Sequence, residues 1–190
     1  MKVSREEAAA NREHVIDVAG RLFREKGFEG VSVADIMRGA GLTHGGFYGQ
    51  FDSKDQLAAE ACERAADNAA AKWNAIVDET GTAGFKRLVG GYLSPSRLSS
   101  PGSGCVFAAL GPEAARRDKP VRQVLAKGLD ALLAALARVV PGRSEAEKRK
   151  RSIAAMAEMV GAVVLARCVG DRELADEILT IATTDLMSRY

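Results

Sequence analysis

Apolar side chains recur every three to four positions along nearly all of the chain, and no strand-like alternation of useful length interrupts them. The spacing predicts a succession of helices. Ser4 followed by Glu7 reads as a capping box opening the first, and Val15, Val18, Ala19, Leu22 and Phe23 give it one apolar face. Gly27, just past the last periodic residue, ends it. Ser32 and Asp35 open a second helix with apolar positions Val33, Ile36, Met37 and Ala40, and Gly41 breaks it. Thr43 caps a short third helix reaching about Gly49, and Ser53 with Gln56 opens a longer fourth helix through Leu57 and Ala61 to about Val77.

The second part of the chain continues in the same way. Thr80–Gly84 reads as a loop, followed by a helix carrying Phe85, Leu88, Val89 and Tyr92. Ser94–Gly104 is rich in Ser, Pro and Gly and reads as a surface loop. A helix restarts near Cys105. Pro120 suits the first turn of the next, whose stripe is Val121, Leu125, Leu129, Leu132, Leu136 and Val139. Pro141-Gly142 stops it. Ser144 and Glu147 form a further capping box, and Gly170-Asp171 separates the helix they open from the last one, which carries Leu174, Ile178, Ile181 and Met187. The expected fold is all-α: residues 1–60 form a three-helix helix-turn-helix domain and residues 61–190 a larger helical domain.

The helix-turn-helix follows from geometry. Val33–Gly39 supplies one helix, Ala40-Gly41-Leu42 the turn, and Thr43–Gly49 the second helix. Ile36, Leu42, Phe47 and Phe51 can face the first helix of the chain, which leaves Thr43, His44, Gly45, Gly46 and Tyr48 outward. Such a second helix enters a major groove with its N-terminal residues at base edges, and its free N–H groups favour phosphate. Charge adds nothing to this reading. The net charge is +2, and within Met1–Phe51 the cations Lys2, Arg5, Arg12, Arg21, Arg24, Lys26 and Arg38 are cancelled by Glu6, Glu7, Glu13, Asp17, Glu25, Glu29 and Asp35.

Other chemistries find little footing. The chain has no P-loop, nucleophile elbow, dinucleotide fingerprint or paired metal-ligating histidines, so neither an enzyme nor a metal or cofactor site is expected. Its only histidines, His14 and His44, fall in the first domain. Cys62, Cys105 and Cys168 are far apart and form no CxxC pair, which fits a reducing cytoplasm. The N-terminal residues lack the apolar core of a signal peptide, and the longest apolar run, Ala131–Val140, is interrupted by Arg138 and too short to span a bilayer.

The stretch Gly27–Leu57, GFEGVSVADIMRGAGLTHGGFYGQFDSKDQL, resembles the DNA-binding domain of the TetR family of repressors. The likeness lies in the Gly-aromatic start, the hydroxyl opening the second helix, the Ala-Gly turn, the aromatic-Tyr pair, the following Phe, and Ser-Lys before the fourth helix. It implies that Ser32 and Tyr48 contact phosphates, that Thr43, His44 and Gly45 lie at the tip of the recognition helix, and that Lys54 contacts the DNA backbone, with Arg38 as a further contact. Two positions depart from the pattern: Gly46 stands where a small hydroxyl residue is frequent, and Gly49 where a basic one is. Gly104–Leu110, GCVFAAL, resembles a subgroup of the same family.

The resemblance also implies a C-terminal domain that binds a small molecule and dimerises. The last two helices, about Ser144–Val169 and Arg172–Ser188, are apolar on one face. Ile153, Ala157, Val160, Gly161, Val164, Leu174, Ile178 and Ile181 are the candidates for a four-helix homodimer interface, although such stripes also serve to close a core within one protomer. Candidate effector-lining residues are Trp73, Phe85, Tyr92, Cys105, Phe107 and Met156, each of which also fits a core position. The expected function is a ligand-responsive regulator: a repressor released from palindromic double-stranded operator DNA by a small-molecule effector, with no membrane partner. Cys105, at a helix N-terminus where thiolates are favoured, raises the alternative of a redox or electrophile sensor; a buried structural cysteine is the other reading.

Overall fold

The computed structural model describes residues 4–190, which form eight α-helices and no strand. These are α1 (Arg5–Lys26), α2 (Val33–Gly39), α3 (Lys54–Thr80), α4 (Gly84–Tyr92), α5 (Val106–Ala114), α6 (Lys119–Ala137), α7 (Glu145–Cys168) and α8 (Arg172–Arg189). The caps explain most of the starts. Ser4 and Ser32 each make the full reciprocal box with Glu7 and Asp35. At α3 and α7 the reciprocal bond slides by one residue. Ser53 and Ser144 accept from the N–H groups of Gln56 and Glu147, but the Gln56 and Glu147 side chains accept from Asp52 and Arg143 instead of from the capping serines.

Two packed cores share the long helix α3, which runs without a break through residue 60. The first is built from α1, α2, the Phe47–Phe51 segment and the start of α3, and it is closed by Val106, Leu110 and Ala114 of α5 with Val121 and Leu125 of α6. The second joins the rest of α3 to α4, α6, α7 and α8. Helices α3 and α6 lie so close that a Cβ on Gly128 would collide with the methyl of Ala66. No helix among the described residues is long and apolar enough to cross a membrane.

The Ser94–Gly104 stretch is the largely exposed surface segment its composition suggests, but it is ordered. It folds into two 3-10 turns, Pro95–Arg97 and Pro101–Ser103, and docks on α1. Gly102 is buried there, and its carbonyl accepts from Arg24 Nε at 2.7 Å. A side chain at Gly102 would run into Arg21 and Glu25, so the missing side chain is what permits the approach.

Candidate nucleic-acid interface and effector cavity

The helix-turn-helix is anchored from beneath. Ile36, Met37, Phe47 and Phe51 are all buried against α1, and the Phe47 and Phe51 rings stack 5.5 Å apart. At the turn Gly41 takes φ 70°, a left-handed conformation, with nothing near its missing side chain. Glycine is required there for its backbone, as only it adopts that region without strain. The turn is closed by Leu42 N–H donating to the Met37 carbonyl at 2.8 Å.

The segment after the turn differs from the expected third helix. It is a 3-10 turn over His44–Gly46 followed by a looser turn to Phe51, held by Phe47 N–H on the His44 carbonyl and Phe51 N–H on the Phe47 carbonyl. Gly45, Gly46 and Gly49 account for this, because each glycine costs roughly 1 kcal/mol of helix propensity relative to alanine. None of these three has a positive φ, and a Cβ at any of them meets only open space or ordinary contacts. Gly46→Ala with Gly49→Ala is therefore expected to lengthen the helix and raise stability by about 1–2 kcal/mol. Far-UV dichroism and thermal unfolding read this; unchanged helicity would remove glycine as the cause.

The residues expected at DNA cluster on α2 and the turn after it. Ser32, Arg38, Thr43, His44, Gly45 and Tyr48 are exposed, and Lys54, the first residue of α3, is half-buried. Tyr48 is 67% exposed, edge-on to Phe47 at 5.1 Å and 6.2 Å from His44, so an anchored ring supports an outward one. Ser32 and Arg38 are engaged without DNA. The Ser32 hydroxyl donates to Asp35 Oδ2 at 2.5 Å, and Arg38 Nη1 lies 3.3 Å from Asp35 Oδ1. The Ser32 hydrogen bonds hold the Asp35 carboxyl below its usual range. A phosphate contacting Ser32 or Arg38 competes with that carboxylate.

Sequence patterns missed the ties from α5 and the segment beyond it to this head. Glu113 Oε2 accepts from Phe28 N–H at 2.8 Å, and Gly27, at φ 77°, passes so close that a Cβ would strike the Glu113 carboxylate. Arg117 Nη1 donates to Asp55 at 2.7 Å, its other amino group pairs with Glu29, and its guanidinium lies 4.9 Å from the centroid of the Phe28 ring. Thus Glu113 of α5 contacts the segment after α1, and Arg117, just past α5, ties that segment to the start of α3.

A cavity of about 400 Å³ lies between α1, α3, α4 and the docked 94–104 segment. Of the expected lining residues it brings together Trp73, Tyr92 and Cys105. The others lie elsewhere: Phe85 is buried against Tyr190, with ring centroids 4.7 Å apart; Met156 is buried in the α7 core; Phe107 packs between the two cores. Tyr92 is nearly buried, its hydroxyl has no hydrogen-bond partner among the described residues, and burial pushes its phenol well above the ordinary range. Cys62 is buried in the first core, with its thiol pushed up to about 12 by desolvation.

On the outer face of α7 and α8, Ile153, Ala157, Leu174 and Ile181 are exposed, while Val160, Gly161, Val164 and Ile178 are half-buried. Leu165, 58% exposed, joins them. It continues the i+4 row from Ala157 and Gly161, and that row was the signal that could have found it.

Residues 15–61 match the model of bacterial regulatory proteins, tetR family. Over 65 residues the chain is 37% identical to the HTH-type transcriptional regulator AcrR of Shigella flexneri, covering 34% of this chain and 30% of that one. It is 21% identical over 183 residues to the HTH-type transcriptional repressor DhaR of Mycobacterium sp. (strain GP1), covering 93% and 92%. The first of these matches spans about a third of its relative's length, the second nearly all of it. The reduced form of Escherichia coli NemR shares the fold, with a TM-score of 0.77 at 21% identity over 94% of this chain and 96% of that one. Residues 15–61 are thus similar to the tetR family of bacterial regulatory proteins, and the chain as a whole shares the fold of solved regulators described as members of it.

Proposed function

We propose that the protein is a cytoplasmic transcriptional repressor that binds a palindromic operator as a homodimer and releases it when a small molecule enters its second domain. Residues 1–60 are the reading head; residues 61–190 bind the effector and the second copy. The observation that carries this is the exposed Thr43–Tyr48 segment, presented above the buried Phe47 and Phe51 within the family-matched region. Thr43, His44 and Gly45 face the groove, with Ser32, Tyr48 and Lys54 on phosphates and Arg38 as a further contact. The regulator and repressor names of the AcrR and DhaR relatives support the same reading. A dimer agrees with the exposed apolar row on α7 and α8, since paired half-sites are read by paired heads. Selection of bound DNA from a random library tests the reading. An inverted repeat is the expected product, and a failure to enrich any sequence at low salt overturns it.

A second reading is favoured by the surroundings of Cys105. This cysteine caps α5, is half-buried, and borders a void of about 10 Å³ with Tyr92, Arg97 and Arg167. Reactive cysteines occupy such electropositive, partly accessible settings. On this reading oxidation or alkylation of Cys105 releases the operator. Cys105→Ser is then expected to abolish release by peroxide while leaving operator affinity unchanged; release that persists in the variant ends the sensor reading.

A further inference from the structure

The cavity between α1, α3, α4 and the 94–104 segment is electrically one-sided. Its lining holds five cations, Arg21, Arg24, Lys72, Arg87 and Arg97, and no carboxylate. Arg21 pairs with Glu25, which stands outside the lining. Arg24 and Arg97 each spend their Nε–H on a backbone carbonyl, Gly102 and Gly91 respectively, and so keep their net charge uncompensated. Lys72 and Arg87 are exposed and make neither an ion pair nor a side-chain hydrogen bond with the described residues. Burial pushes the Arg24 guanidinium down from its ordinary value, an effect that the nearby Glu25 and Asp17 only partly offset.

The floor of the cavity is apolar. Trp73, Ile76 and Leu88 line it, and Trp73 meets Tyr92 edge-on at 6.0 Å. The Tyr92 side chain is more than nine-tenths buried, and its hydroxyl is left without a partner. That hydroxyl lies behind the cavity wall, on the side of Cys105 and Arg167. The volume of about 400 Å³ lies within the span of small-molecule sites.

We propose that this cavity binds an amphipathic organic anion, with its carboxylate among the guanidinium and ammonium groups of the rim and its aliphatic or aromatic body against Trp73, Ile76 and Leu88. The proposal rests on the effector reading above and names the chemical class of the effector. A neutral molecule of the same shape fits the floor but leaves the cations without a counter-charge. A bare inorganic anion satisfies the rim but leaves the floor uncovered. The site asks for both in one molecule.

Isothermal titration of the full chain with octanoate, octanamide and inorganic phosphate tests this. Octanoate is expected to bind at least tenfold more tightly than either of the others. Lys72→Gln with Arg87→Gln is expected to erase that preference and leave octanamide binding where it was; Lys72→Arg with Arg87→Lys retains it. Equal affinity for octanoate and octanamide overturns the proposal, as does phosphate matching octanoate or a preference that survives the double glutamine variant. Operator affinity is read in a separate arm. Octanoate that binds with its tenfold preference but leaves operator affinity unchanged upholds the anion site and removes the effector reading instead.

Discussion

A single Ile181→Glu substitution is expected to convert the proposed homodimer into a monomer and to weaken operator binding roughly a hundredfold or more. Ile181 is 60% exposed in the protomer, with Ile153, Leu165 and Leu174 also largely uncovered on the same two helices. Burying one such side chain against a second copy contributes about 1.5–3 kcal/mol, and a two-fold interface counts each residue twice. The substitution removes that gain at both copies and adds two carboxylates that must lose their water without a partner. A loss of about 3–6 kcal/mol shifts the dimer equilibrium by roughly two to four decades. A monomer then reads one half-site, and DNA affinity falls with it. Because Ile181 is uncovered in the protomer, the fold itself is expected to hold, with a stability change within about 0.5 kcal/mol. Sedimentation equilibrium reads the dimer, gel shift reads the operator, and thermal unfolding guards against a trivial cause. A variant that stays dimeric places the interface elsewhere.

What could be read from the chain depended on whether the signal was local. The helix starts at Ser4 and Ser32 were legible because capping is a contact between residues three apart. The buried set Ile36, Phe47 and Phe51 was legible because side chains four apart fall on one side of a turn as they do of a helix. The third helix was over-read. Its spacing fitted, but Gly45, Gly46 and Gly49 left too little propensity for more than a 3-10 turn. The effector cavity was half legible. Trp73 and Tyr92 stood out as large rings with polar handles, whereas the rim cations come from α1, α3, α4 and the 94–104 segment and meet only through tertiary packing. The same reason hid Glu113 and Arg117: their partners Phe28, Glu29 and Asp55 are far away in sequence. Phe85, Phe107 and Met156 look like ligand contacts by residue type, yet the fold spends them on its own cores.

On the proposed function, replacing Glu113 and Arg117 together by alanine is expected to leave a protein that binds its operator but no longer responds to an effector. Helix α5 has one end at each site. Cys105, its cap, lines the cavity, and Glu113, near its other end, accepts from Phe28 N–H at 2.8 Å, with Arg117 just beyond gripping Glu29 and Asp55. The helix spans about 13 Å with Pro112 in its last turn, so a shift at Cys105 passes along it to Glu113 and the junction of α1 and α2, and through Arg117, beyond the helix end, to the first turn of α3. Effector coupling in such proteins is typically about 1–3 kcal/mol, equivalent to roughly 5–150-fold in affinity. With both side chains cut back, the effector-driven loss of operator affinity is expected to fall to about twofold or less. The carboxylate is the stronger member, because its loss strands a backbone N–H at a cost of about 1–3 kcal/mol. The Arg117 pairs involve well-exposed acids and contribute less. Glu113→Gln separates coupling from simple damage, since an amide oxygen can still accept from Phe28 and the response is expected to survive. Anisotropy of labelled operator with and without effector reads all three proteins. Full induction in the double alanine variant would show that the signal travels by the direct path from the cavity along α1 or α3.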